Sequence, residues 1–132
     1  MTDAEAVVRR LCAAMSAQDL EAVRPLLSRS AVYHNVGMEP AVGVDASLDA
    51  VAAQFAMFDR IEFQVRNLAV TGTTVLTERV DVVSANGIEA PVPVMGAFEI
   101  HDGRIASWRD YFDVGLVGRL LSGEDVAALL PT

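Results

Sequence analysis

Three short stretches of this chain place polar side chains two positions apart: Tyr33 and Asn35, Arg79 and Asp81, Trp108 and Asp110. Side chains alternate in direction along a β-strand, so on a strand each pair shares one face. The apolar neighbours Val36, Val80, Val82 and Phe112 assign these strands to a core. A buried charge without a partner is costly, so Asp81, Asp110 and Arg79 are expected to pair. If the strands that carry them pair, Arg79 lies between two carboxylates. That set holds one excess negative charge, and apolar surroundings favour the neutral form in which one Asp keeps its proton. An acid and a base then coexist in one coupled unit. Tyr33 and Asn35 add neutral donors and acceptors that can hold a water against the ionised carboxylate. A structural salt bridge is the plain alternative for Arg79 and Asp81 alone. Three such pairs in one small domain favour a site.

One acid, one base and a held water fit the opening of an epoxide, with no nucleophilic Ser or Cys required. The base takes a proton from water as the water attacks a ring carbon. The acid protonates the departing ring oxygen, and ring strain supplies much of the driving force. The site stays neutral through the step, because one Asp gains a proton as the other loses one. The residues alone permit either carboxylate in either role.

The elements that must position these groups follow from the hydropathy pattern. The chain has 132 residues, enough for one domain and too few for two. Thr2 and Glu5 have capping-box spacing, and Val7, Val8, Leu11, Cys12 and Met15 recur at helical spacing, which predicts a helix to about Ser16. Cys12 on that stripe reads as a small core residue. A shorter helix is expected over 19–27 and a short strand over 31–35. Gly37, Pro40 and Gly43 break the next stretch into a loop. Asp45 is expected to cap a third helix to about Phe58, with Leu48, Val51, Ala52, Phe55 and Phe58 on one side. Four strands follow, at 61–70, 73–84, 88–100 and 104–113, with Asn86-Gly87 and Asp102-Gly103 as hairpin turns. Pro91 and Pro93 place one end of the third of these at an edge or bulge. Short helices are expected over 116–121 and 124–130. Helices first and an antiparallel meander later give an α+β class, with the sheet curved around helices on one face and enclosing a pocket.

Bulk properties narrow the partners. Apolar residues make up 52% of the chain and the formal charge is −8, without a basic run, which argues against nucleic-acid binding. The mean hydropathy of +0.34 is high for a soluble domain and suits a pocket lining or an oligomer interface. A single Cys excludes an internal disulfide. No apolar run is long enough to span a bilayer, and the polar, acidic start is unlike a signal peptide, so a cytoplasmic protein is expected.

The motifs Tyr33-His34-Asn35, Thr77-Glu78-Arg79-Val80-Asp81-Val82 and Trp108-Arg109-Asp110-Tyr111-Phe112-Asp113 resemble the limonene-1,2-epoxide hydrolase family, in order and over nearly the whole chain. That family is a branch of the cone-shaped α+β fold shared with nuclear transport factor 2 and ketosteroid isomerase. The resemblance implies Asp110 as general base, Asp81 as general acid, Arg79 as the bridge between them, and Tyr33 and Asn35 as water-positioning residues. Trp108 is the aromatic beside the base. The resemblance also implies one-step hydrolysis without cofactor or covalent ester, a small or medium apolar epoxide as substrate, a vicinal diol as product, and a homodimer. Two stretches depart from the family pattern: Val36-Gly37-Met38-Glu39-Pro40 and the strand carrying Pro91 and Pro93.

Met38, Met57, Phe55, Met95, Phe98, Phe112, Leu116 and Leu120 are candidate pocket walls. Alternation points His34 away from Tyr33 and Asn35, places His101 at a turn, and turns Arg109 and Glu99 to the outer face, where Arg109 meets carboxylates or a second subunit. Neither His has partners at metal-ligand spacing, so no metal is expected. The same site could instead let a substrate hydroxyl open the ring to a cyclic ether. A ketosteroid-isomerase-like proton shuttle is weaker, because an Arg beside the acid favours its ionised form. A binding or dimerisation module on the same fold is the non-catalytic alternative.

Overall fold

The computed structural model describes residues 2–132. Helix α1 spans Asp3–Ser16, and the Thr2 hydroxyl accepts from Glu5 N at 3.1 Å, as the capping box predicts. Helix α2, Leu20–Val23, is shorter than expected and gives way to a 3₁₀ turn at Arg24–Leu26. Pro25 has no N–H for a further helical bond, which ends α2 early. Strand β1, Leu27–Asn35, therefore starts earlier than the sequence pattern indicates. The two-residue strand β2, Ala41–Val42, is an addition, and Ala41 and Val42 pair with Tyr33 and Val32.

Helix α3 spans Val44–Met57. Its N-cap is Gly43 with φ +93° and no side-chain cap bond, not Asp45, which lies in the first turn. There the Asp45 carboxylate complements the positive end of the helix dipole. Strands β3 (Arg60–Thr71), β4 (Thr74–Ala85), β5 (Ile88–His101) and β6 (Arg104–Tyr111) form the expected meander. Asn86 and Gly87 both have positive φ, as do Asp102 and Gly103, the conformation that two-residue hairpin turns require. Helix α4 spans Val114–Leu121, with Asp113 as its N-cap rather than a strand residue. The predicted last helix is reduced to a 3₁₀ turn at Ala127–Leu129.

One curved, open mixed sheet runs β2-β1-β6-β5-β4-β3, with β1 parallel to β6 and every other pair antiparallel. Pro91 and Pro93 pair with Val82 and Val80 of β4, while β6 meets β5 only from Met95 onward. The half of β5 that carries the prolines is thus an edge on one side, as the missing N–H groups require.

The inner face of the sheet carries two apolar clusters. One packs Val7, Val8, Leu11, Cys12 and Met15 of α1 against Val75, Phe98, Ile105 and Trp108. The other joins Ile61, Val83, Ala90, Val92 and Val94 to Leu120 and Val126 near the C-terminus. Phe55 and Phe63 pack against both.

Candidate active site

The polar residues interrupt the inner rows of three strands at the boundary between the two clusters. On β4 the buried row reads Val75, Thr77, Arg79, Asp81, Val83. On β6 Asp110 follows Trp108, and on β5 Gly96 lies between Phe98 and Val94. Arg79, Asp81 and Asp110 are 1%, 7% and 3% exposed, so their charges are settled by one another.

Arg79 is the hub. Its Nε donates to Asp81 Oδ1 at 2.9 Å and its Nη2 to Asp81 Oδ2 at 2.8 Å. The same Nη2 donates to Asp110 Oδ2 at 3.0 Å, and Nη1 donates to Thr77 Oγ1 at 3.1 Å. The guanidinium carbon lies 4.5 Å from the centroid of the Phe63 ring, and Phe63 is the β3 residue opposite Asp81. The aromatic face attracts the cation and excludes water from it. Burial works against the Arg79 charge, but Asp110 and Asp81 outweigh it and hold the guanidinium more firmly protonated than usual. Burial pushes the Asp81 carboxyl up to about 6; Arg79 opposes this and the Asp110 charge adds to it. The second oxygen of Asp110, Oδ1, is buried without a hydrogen-bond partner.

The strands bearing Arg79 and Asp110 do not pair directly, because β5 runs between them. Thr77, Gly96 and Asp110 are aligned across β4, β5 and β6. A Cβ at Gly96 would collide with Arg79 Nη1 and lie 2.7 Å from Thr77 Oγ1 and 3.0 Å from Asp110 Oδ1. The ion pair therefore crosses a whole strand, and glycine leaves the room for it.

Tyr33 and Asn35 pair with Trp108 and Asp110 on alternate rungs of the parallel β1–β6 pair, with His34 and Arg109 between them. The Tyr33 ring stacks on Trp108 with centroids 3.9 Å apart, and Phe98 supports the indole from 6.0 Å. The Tyr33 hydroxyl accepts from Gln54 Nε2 of α3. Burial first, then the Asp110 charge, hold the phenol protonated beyond its ordinary range, against the pull of Gln54 and Asn35. The set brings together two carboxylates, one guanidinium and neutral hydrogen-bonding groups among buried apolar side chains. Among the described residues no three His, Cys, Asp or Glu side chains converge as metal ligands.

The family model of the limonene-1,2-epoxide hydrolase catalytic domain matches residues 2–120. The chain belongs to the limonene-1,2-epoxide hydrolase family. Epoxide hydrolase EphG of Mycobacterium tuberculosis is 35% identical over 103 residues, which cover 76% of this chain and 67% of that relative. A solved M. tuberculosis structure described as an LEH-like epoxide hydrolase superposes with a TM-score of 0.79 at 31% identity, covering 98% of this chain and 97% of that one. An NTF2-like protein from Burkholderia pseudomallei superposes with a TM-score of 0.84 at 17% identity, over 92% of this chain and 99% of that one, and shares the fold alone.

In this member of the limonene-1,2-epoxide hydrolase family, the structure brings together Asp110, Asp81, Arg79, Tyr33, Asn35 and Trp108. Phe55, Phe112, Leu116 and Leu120 belong to the cluster on the Asp81 side, and Phe98 lies in the core under Trp108. Three methionines do not line the site. Met95 is 51% exposed on the outer face, because its neighbour Gly96 takes the inward position. Met38, 53% exposed, sits on the loop after β1, and Met57 is exposed at the end of α3. His34 turns away and its Nε2 meets the Met38 carbonyl at 2.8 Å. Arg109 faces outward beside Ser107 and Glu99; Glu99 is half-buried there and accepts from the Thr74 hydroxyl. Cys12 is core, with burial pushing its thiol up to about 11.

Sequence reasoning missed Thr77, Gly96, Gln54 and Phe63. Two carried a signal: a glycine inside a strand pattern marks a close approach, and Gln54 interrupts the apolar side of a helix.

Proposed function

We propose that this protein is an epoxide hydrolase that adds water to a small or medium apolar epoxide in one acid–base step. The observation that carries this is the unequal hold of Arg79 on the two carboxylates. Asp81 is gripped through both oxygens, whereas Asp110 is held through Oδ2 and keeps Oδ1 free. Asp110 Oδ1 is then the base: it takes one proton from a water as the water oxygen bonds to a ring carbon. Asp81 is the acid: its proton passes to the epoxide oxygen as the carbon–oxygen bond breaks. A carboxyl raised to about 6 holds that proton at and below about pH 6 and then still accepts from Arg79 through its remaining lone pairs. The two carboxyl groups together carry one negative charge before and after the step and Arg79 balances it, so no net charge is built up in the site. Tyr33 and Asn35 orient the water, and Phe55, Phe112 and Leu116 supply the apolar wall that selects the substrate. No cofactor enters the step, and the product is a vicinal diol.

The family membership and the 31% identical epoxide hydrolase structure support this assignment. The test is turnover of limonene, cyclohexene and styrene oxides in oxygen-18 water. Labelled trans-diol from the cyclic substrates is the expected product. First-turnover diol with unlabelled oxygen, the label entering the protein instead, would refute direct water attack.

A further inference from the structure

Gln54 hydrogen-bonds the Tyr33 hydroxyl from α3, on the side opposite the sheet residue Asn35 that also pulls on the phenol. Its neighbours on the inner side of α3 are apolar: Val51 is buried and Phe55 packs against both clusters. The other polar residue of that side, Ser47, is buried and donates to the carbonyls of Ala31 and Ala41, a purely structural task. Gln54 has no such backbone partner. Its amide is spent on a phenol whose ring is already fixed by the Trp108 stack.

Resting on the hydrolase assignment above, we propose that Gln54 is a positioning residue that makes Tyr33 a hydrogen-bond donor to the attacking water. A phenol oxygen has one O–H and two acceptor sites. The Gln54 N–H occupies one acceptor site, and a donor cannot also receive the phenol proton. The proton must therefore turn from α3 toward the Asn35 and Asp110 side, where Asp110 Oδ1 is the unpaired acceptor. A water held there accepts from Tyr33 and donates to Asp110 Oδ1. Its second lone pair is left for the ring carbon, and its second proton stays on the new hydroxyl. Without Gln54 the phenol proton is free to rotate away, and the water loses the bond that aims it.

The chain has two tyrosines, so Tyr33→Phe assigns the Tyr33 signal in protein labelled with carbon-13 at the tyrosine Cζ. That resonance reports the hydrogen bonding of the phenol whether or not the protein turns over. It is compared in wild type, Gln54→Leu and the isosteric Gln54→Glu, which replaces the donor by an acceptor. If Gln54 holds the phenol, the resonance shifts in both variants. Gln54→Leu then lowers kcat by about tenfold with KM within about twofold, the size of one lost hydrogen bond. Gln54→Glu lowers kcat at least as far, although it fills the same space. An unmoved Tyr33 resonance, or native kcat in Gln54→Glu, overturns the assignment. Should Gln54→Leu fail to fold, Gln54→Glu carries both measurements. If wild type makes no diol from any epoxide, the hydrolase assignment fails by that result alone, and the resonance still decides whether Gln54 sets the phenol.

Discussion

Asp81 and Asp110 are the same chemical group in two settings, and the proposed mechanism gives them different work. Asp81 is buried and pushed from 3.8 up to about 6, even with Arg79 on both oxygens. Its proton is thus bound more tightly in the folded protein than in the unfolded chain. On this group alone, the extra stability is fully present below the ordinary value of 3.8 and is lost as pH rises through about 6. Activity follows the same direction, because the acid must hold its proton. kcat/KM is expected to fall as pH rises through about 6, and the descending limb should vanish with Asp81→Asn, which can donate no proton to the epoxide oxygen. A flat kcat/KM from about pH 5 to about pH 8 would contradict Asp81 as the acid. At this scale the sequence was informative: residues two apart share a face, and an Arg with two Asp in a core has few places to go. The residues that tune the site were less legible. Gln54 and Phe63 come from elements far away in sequence, and no local pattern reports that a helix amide reaches a strand tyrosine.

Strand β5 separates the two carboxylate strands, and its one inner glycine decides whether they communicate. Gly96→Ala would drive a methyl group into Arg79, Thr77 and Asp110. Arg79 would have to withdraw from Asp110 and leave a buried carboxylate without its cation. The expected cost is about 3–5 kcal/mol, read from urea denaturation. A kcat loss of about a hundredfold or more should accompany it. Native kcat in this variant would show that the Arg79–Asp110 contact is dispensable. The strands and hairpins were legible because their signals are local: alternation, Asn86-Gly87 and Asp102-Gly103. The early end of α2, the pairing of Ala41 and Val42, and the Gly43 cap were not, since each depends on which neighbour the segment meets. Met95 was misplaced as a pocket wall because its inward neighbour is a glycine with no side chain to mark the parity.

The molecule as a whole leaves several large apolar side chains on its surface. Leu76, Met95 and Tyr111 are exposed on the outer face, where Met95 pairs with Tyr111 and with Glu78, and Leu76 with Ala97. Arg66, Arg109, Glu78 and Glu99 share that face, so under a twofold axis the acids of one copy can meet the bases of the other. We propose that two copies pair through this face, in keeping with the high mean hydropathy. Sedimentation should show a dimer for wild type and a monomer for Met95→Arg, whereas a wild-type monomer at micromolar concentration would contradict the pairing. The catalytic claim remains the central one, and it turns on the free oxygen of Asp110. The most direct measurement is single-turnover diol formation by wild type and Asp110→Asn, with binding of the diol product followed by calorimetry. Loss of turnover by about a hundredfold to ten-thousandfold with binding retained is the predicted result. Diol formed by Asp110→Asn at the native rate would contradict Asp110 as the base.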